Sequence, residues 1–83
     1  MIETHDGLVA ALRAIQGLRD KGKVHPAFHF RSRAFLHFHD AEDGRYADVR
    51  FDEDFERVPA ATPRQRAELL DRVRRHVAAR SQG

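Results

Sequence analysis

Residues 23–51, KVHPAFHFRSRAFLHFHDAEDGRYADVRF, contain four of the six histidines and five of the six phenylalanines of the chain. Apolar and polar side chains alternate along this stretch in three runs, a pattern typical of β-strands that bury one face. A polar tip at 31–33 separates the first two runs, and a turn-forming segment at 40–44 separates the second from the third. The stretch therefore predicts an antiparallel sheet with two chemically different faces.

Burial of the aromatic rings determines the register that we expect for the first hairpin. Phe28 and Phe30 have to share a face with the apolar residues of the second run, because otherwise two rings are left in water. We therefore expect Phe30 opposite Leu36 and His29 opposite His37, around a three-residue tip. A two-residue tip, which would set His37 beside Phe28, is the competing register.

The second hairpin follows from the same reasoning. The apolar residues of the third run share a face with those of the second when Phe38 lies opposite Ala47 and His37 lies opposite Asp48. This register requires a four-residue loop at 41–44.

A helical pattern precedes the sheet. Its apolar stripe consists of Leu8, Ala11, Leu12, Ile15 and Leu18. The spacing predicts a helix over residues 6–21, with Thr4 or Asp6 as its N-cap and Gly22 just past its C-terminal end.

A second helical pattern follows the sheet. Thr62, Pro63 and Gln65 form a helix-start pattern with a capping residue, a proline in the first turn and a glutamine three positions after the cap. The helix is expected to end near Arg80. Its buried stripe consists of Leu69, Leu70, Val73 and Val77. Before this helix, residues 55–58 form either a short fourth strand or a segment tucked beneath the sheet.

The element order α-β-β-β-(β)-α predicts a two-layer α+β fold. An antiparallel sheet of three to four strands has one apolar face, and the N- and C-terminal helices each have one apolar stripe, so both helices are expected on the same face of the sheet. The length of 83 residues is that of a single domain, 1–83, without room for a deep cleft between lobes.

Composition narrows the possible functions. The chain has no cysteine, which excludes disulfides, thiolate metal ligands and a cysteine nucleophile. No apolar run approaches the roughly 18 residues of a membrane span, and the N-terminus lacks the basic start and small-residue cleavage site of a secretory signal peptide. We therefore expect a cytoplasmic protein without a membrane partner.

Charge is unevenly distributed along the chain. Residues 1–39 carry six basic and three acidic side chains, residues 40–56 carry two and eight, and residues 57–83 carry seven and two. A nucleic-acid-binding domain usually has a basic stripe without such an acidic block beside it. The pattern is better explained by internal charge pairing and solubility.

The sheet face opposite the helices is the predicted binding face. Its residues are His29, Phe35, His37, His39, Tyr46, Asp48 and Arg50. Aromatic and arginine side chains are enriched in protein interfaces, and a small domain gains stability by pairing such faces in a homodimer. The leading interpretation is a small binding or accessory domain that contacts a protein partner or a second copy of itself.

Two other functions use the same face. His29, His37, His39 and Asp48 have the composition of a zinc or nonheme iron site, so a histidine-rich metal-binding domain is the first alternative. Phe35 and Tyr46 could stack single-stranded bases, which makes nucleic acid binding the second. Catalysis is disfavoured because no aliphatic hydroxyl lies near the predicted His37–Asp48 pair.

The run HPAFHFRSRAFLHFHD, with the glycine turn and the leucine- and arginine-rich helix that follow it, resembles small bacterial domains labelled luciferase-like. The residues that carry the resemblance are Arg33, Phe35, His37, His39 and Gly44. The resemblance covers about a third of the chain, and the segment that such domains have between sheet and last helix is shortened here. It implies a fold, without light-emitting or oxygenase chemistry.

Overall fold

The computed structural model describes residues 2–80. In chain order its elements are α1 His5–Arg13, β1 Leu18–Asp20, β2 Ala27–Phe30, β3 Arg33–Ala41, β4 Gly44–Val49, β5 Glu56–Pro59 and α2 Pro63–Arg80. Over this range the strands form one antiparallel sheet in the order β1-β2-β3-β4-β5. The predicted two-layer α+β fold with a helix at each end is confirmed, and the sheet has five strands instead of three or four.

The apolar core lies between the sheet and the two helices. Its largest fully buried side chains are Leu8 and Leu12 of α1, Phe28, Leu36 and Val49 of the sheet, and Leu69 and Val73 of α2. Burying one such side chain contributes about 1.5–3 kcal/mol. Phe30, Phe38 and Phe51 pack at the border of this core. These phenylalanines, Leu36 and Val49 therefore face the helices, as predicted.

Helix α1 is shorter than the helix predicted over 6–21. Thr4 does cap it, since its hydroxyl accepts a hydrogen bond from the Gly7 amide at 2.9 Å. After Arg13 the chain leaves the helix through Gly17, whose φ of 104° favours glycine, and enters β1. The expectation failed because Leu18 fits the helical stripe and is equally buried as a strand residue opposite Phe30.

Asp20 fastens the loop between β1 and β2. One carboxylate oxygen accepts hydrogen bonds from the amides of Gly22 and Ala27 at 3.0 and 3.1 Å, and the other pairs with Arg13 at the end of α1. Partial burial raises the pKa of Asp20, but these hydrogen bonds outweigh it and hold the pKa below its usual value. Gly22 lies in this loop and does not end a helix, contrary to the prediction. Glycine is required there because a side chain would collide with the His25 carbonyl.

Neither expected register of the first hairpin is observed. Two residues, Arg31 and Ser32, form the tip with φ of 55° and 66°, so Phe30 pairs with Arg33. A β-bulge then shifts the register, and Phe28 pairs with Leu36. The competing expectation of a two-residue tip is therefore right in length, but its pairing of His37 with Phe28 is wrong. Arginine and serine are unusual in such a tip, because asparagine and glycine adopt positive φ at less cost.

The second hairpin has the predicted register. Phe38 pairs with Ala47 and His37 pairs with Asp48, and pairing continues to Ala41 and Gly44. The connecting turn is therefore two residues long instead of the four predicted at 41–44.

The C-terminal part follows the sequence pattern closely. The Thr62 hydroxyl accepts a hydrogen bond from the Gln65 amide, and the Gln65 side chain accepts one from the Thr62 amide, which together make a capping box. The predicted stripe of leucines and valines on α2 is buried. Arg72 pairs with Glu56 of β5 at 2.9 Å. Within residues 2–80, no helix has the length and apolarity that crossing a membrane requires.

Candidate functional site

The helices leave one face of the sheet uncovered, and we call it the open face. Its residues are Arg19, His29, His37, His39, Tyr46, Asp48 and Arg57, with Arg50 and Phe55 at its border. Each strand residue among them alternates with a neighbour that faces the core, as His37 does between Leu36 and Phe38. The open face corresponds to the predicted binding face, although the two sets of residues differ in part.

A row of three paired residues crosses the open face. His37 of β3, Asp48 of β4 and Arg57 of β5 lie opposite one another. Arg57 Nε donates to Asp48 Oδ1 at 3.1 Å, and His37 Nε2 lies 3.1 Å from Oδ2. The Asp48 side chain is only 14% exposed, whereas those of His37 and Arg57 are about half exposed. We call this set the carboxylate row.

The central carboxylate of the row stays charged over a wide pH range. The hydrogen bond from Arg57 lowers the pKa of Asp48, partial burial opposes this, and the charge of Arg57 lowers it further. Asp48 therefore accepts the hydrogen bond from Arg57 as an anion, and the row places a fixed negative charge between a guanidinium and an imidazole.

Acid is expected to weaken the fold through Asp48. Because its folded pKa is depressed, its contribution to stability is present above the unfolded value of about 3.9 and is lost as the pH falls through the folded value. In urea denaturation, Asp48→Asn should cost about 1–2 kcal/mol at pH 7 and less than half of that near pH 2.5. Asp71→Asn on the outer side of α2 is the control. An Asp48→Asn cost that is unchanged in acid would contradict this assignment.

Aromatic rings border the carboxylate row. Phe55 is 40% exposed, and its ring lies 5.4 Å from that of His37. The guanidinium carbon of Arg50 lies 4.5 Å above the Phe55 ring, and that of Arg57 lies 5.9 Å above the Tyr46 ring. Each aromatic side chain is thus held in place by a cation.

Tyr46 is held at its hydroxyl as well. The hydroxyl donates a hydrogen bond to Asp43 at 2.8 Å, and this bond raises the pKa of Tyr46. His39, also in the predicted set, pairs directly with Tyr46 and is exposed beside it.

Phe35 leaves the predicted binding face, and His29 stays on it without lying beside His37. The bulge in β3 turns Phe35 into the core, where it is 3% exposed, so its predicted exposure is wrong. The same bulge sets His29 opposite Ala34, and Ala27 takes the place beside His37. The predicted row of His29, His37 and Asp48 is therefore not formed.

The bulge also bears on the metal hypothesis. Residues 2–80 contain no group of three or more histidine or acidic side chains placed to hold a metal ion. His37 and Asp48 are close together, but Arg57 occupies the place beside Asp48 that a third ligand would need. The structure gives the proposed ligand set of His29, His37, His39 and Asp48 no support.

Sequence reasoning did not identify Phe55 and Arg57 as members of this face. A fourth strand through Val58 was one of the two expectations for that segment, and alternation along it places Arg57 on the side opposite Val58. That signal was available. The contact of Phe55 with His37 could not be predicted, because Phe55 lies in the loop before β5 and His37 lies in β3.

Comparison with known proteins finds no match: no family model, no curated protein and no solved structure is similar to this chain. The resemblance to luciferase-like domains stays a prediction. The open face must therefore be interpreted from its own chemistry.

Proposed function

We propose that this chain is a small non-enzymatic binding domain whose open face contacts a second copy of the chain. The observation that carries the proposal is the carboxylate row, in which the Asp48 carboxylate and the Arg57 guanidinium lie side by side near a partly exposed aromatic ring. A cytoplasmic location, expected from the sequence, is part of the same proposal.

Charge complementarity favours a second copy. A twofold-related copy shifted by one strand, about 4.8 Å, sets a guanidinium opposite the Asp48 carboxylate in both directions. Arg57 and Asp48 are held by their mutual hydrogen bond, so little side-chain freedom is lost when they pair across an interface.

Phe55 would be the apolar anchor of the contact. Aromatic and arginine side chains carry much of the binding energy of interfaces. Phe55 is partly exposed and already restrained by Arg50 and His37. Its burial against a partner would add apolar contact without first ordering a mobile ring.

The size of the open face limits the affinity. Strand spacing and rise give a surface of roughly 20 by 20 Å, or about 400 Å² per partner. Stable interfaces bury about 800 Å² per partner. We therefore expect a weak, reversible dimer.

Nucleic acid binding is disfavoured by the aromatic contacts. Phe35 is buried, and arginine side chains already lie over the rings of Tyr46 and Phe55. A base could stack on either ring only after displacing a guanidinium. The acidic residues 52–54 next to Phe55 would also repel phosphates.

Sedimentation velocity over a range of concentrations tests the proposal. Wild-type protein should show a monomer–dimer equilibrium. Arg57→Glu should weaken dimerisation at least tenfold, because it sets two carboxylates against each other, and Phe55→Ser should weaken it several-fold. The control is Arg64→Glu, an equal charge change at an 84% exposed side chain on the helical layer.

Thermal unfolding verifies that each variant is folded before it is compared. A wild-type protein that stays monomeric up to about 1 mM, near the weakest measurable affinity, would overturn the proposal. So would equal weakening by Arg64→Glu. A salt-sensitive complex with single-stranded oligonucleotides and no dimer would support the alternative function instead.

A further inference from the structure

A cleft opens at the end of the sheet that carries the hairpin tip. It lies between this tip, the residues after β4 and the C-terminal half of α2, and its volume is about 580 Å³. Small-molecule sites usually enclose about 300–1,000 Å³. No cavity was expected from the sequence, because the cleft is assembled from three separate segments of the chain.

Four rings form one wall of the cleft, and we call them the aromatic wall: Phe30, Phe35, Phe51 and His76. Phe35 and His76 are stacked at 5.2 Å with 25° between their planes. Phe51 meets the edges of both rings, at 6.0 Å from Phe35 and 5.4 Å from His76. Phe35 reaches this wall because of the bulge in β3.

The aromatic wall carries no charge at neutral pH. Burial lowers the pKa of His76, and the positive charge of Arg80 lowers it further. The imidazole therefore stays neutral and packs as an aromatic ring. Because Phe35 is only 3% exposed, a planar apolar ligand would contact mainly the partly exposed rings of Phe30, Phe51 and His76.

Basic side chains form part of the rim. Arg31 is part of the hairpin tip, Arg33 follows the tip, and Arg80 lies at the end of α2. Within residues 2–80 these three guanidiniums have no carboxylate partner; Arg31 lies over the Phe30 ring, and Arg80 donates only to the His76 carbonyl of its own helix. By contrast, most other arginines of the described chain are paired with acids or with backbone carbonyls.

Acidic side chains form the rest of the rim. Asp52 and Glu53 follow β4 and line the cleft beside Phe51. They are exposed and, within residues 2–80, pair with no basic side chain. A bound anion would therefore be repelled from this side and directed towards the guanidiniums of the hairpin tip.

We propose that this cleft binds a small aromatic carboxylate, with its ring against the aromatic wall and its carboxylate at Arg31 and Arg33. The guanidinium group matches a carboxylate with two parallel hydrogen bonds, which a lysine ammonium cannot do. Among the residues named for the two sites, the cleft shares Arg50 with the border of the open face, and the residues that would hold the ligand lie outside that face. This inference therefore stands whether or not the chain forms a dimer.

Titration with 2-naphthoate, followed by amide chemical shifts, tests the proposal. The matched probe is 2-naphthylmethanol, which has the same rings without the charge. We expect shifts concentrated at Phe51 and His76, and about tenfold tighter binding of the carboxylate, equivalent to about 1.4 kcal/mol.

Three variants test the role of the rim. Arg33→Glu should weaken naphthoate binding at least tenfold, and Glu53→Gln should strengthen it about threefold by removing repulsion. Both side chains are exposed, so the fold should be unaffected. Arg64→Glu, at the N-terminal end of α2 and away from the cleft, should change the affinity by less than twofold.

Equal affinity for the two probes would overturn the proposal, because the carboxylate would then contribute nothing. Absence of binding by either probe, shifts centred on the open face, or an Arg33→Glu variant with unchanged affinity would each overturn it as well.

Discussion

Replacing Arg66 with methionine is expected to lower the free energy of unfolding by about 3 kcal/mol, a fall in Tm of roughly 15 °C for a domain of this size. Arg66 is 7% exposed, and no carboxylate pairs with it among the described residues. Its guanidinium donates instead to the carbonyls of Ile2, Glu3 and Ala61 at 3.2, 2.7 and 3.0 Å. Methionine fills a similar space but leaves these carbonyls without a donor.

Arg64→Met is the matched control for this prediction. Arg64 lies two positions earlier in the same helix, and its side chain is 84% exposed, so the change should cost less than about 0.5 kcal/mol. Urea denaturation at pH 7 measures both variants. A similar cost for Arg64→Met and Arg66→Met would show that the hydrogen bonds of Arg66 do not stabilise the fold.

Phe35→Ala is expected to destabilise the protein by about 3–4 kcal/mol, whereas Phe55→Ala should cost less than about 1 kcal/mol. Phe35 is 3% exposed and contacts the rings of Phe30, Phe51 and His76. Removing it leaves a cavity in the core. Phe55 is 40% exposed, and removing it mainly lets water reach the Arg50 side chain.

This pair of variants tests the bulge directly. A hairpin without the bulge would place Phe35 on the open face, and Phe35→Ala would then be the mild substitution. If Phe35→Ala is too unstable to purify, Phe35→Leu should still cost about 1–1.5 kcal/mol. Equal midpoints for Phe35→Leu and wild type in urea would contradict the buried position.

The parts of the fold that could be predicted from sequence depend on neighbours along the chain. Thr62 and Gln65 specify the start of α2 because each satisfies the backbone amide of the other. His37 and Asp48 could be placed opposite each other because a short turn joins strands with clear alternation. One pair of the candidate site was therefore foreseen.

The boundary between α1 and β1 could not be predicted from the sequence pattern of the N-terminal segment. Leu18 lies at helical spacing from earlier apolar residues and is also a suitable strand residue. Local propensities differ by less than about 1 kcal/mol, so the pairing of β1 with β2 decides the outcome. The hydrogen bonds from the amides of Gly22 and Ala27 to Asp20 contribute to that pairing.

The sequence by itself determined the two-layer arrangement, because strand alternation and helical periodicity predict which side chains are buried. It did not determine the bulge, since Phe35 and Leu36 are both apolar and either can point inward. Only the tertiary structure decided that both do, because His76 of α2 provides a surface for the extra ring. The hydrogen bonds from Arg66 to the carbonyls of Glu3 and Ile2 also depend on the tertiary structure. They join residues 63 and 64 positions apart, so no local sequence pattern predicts them.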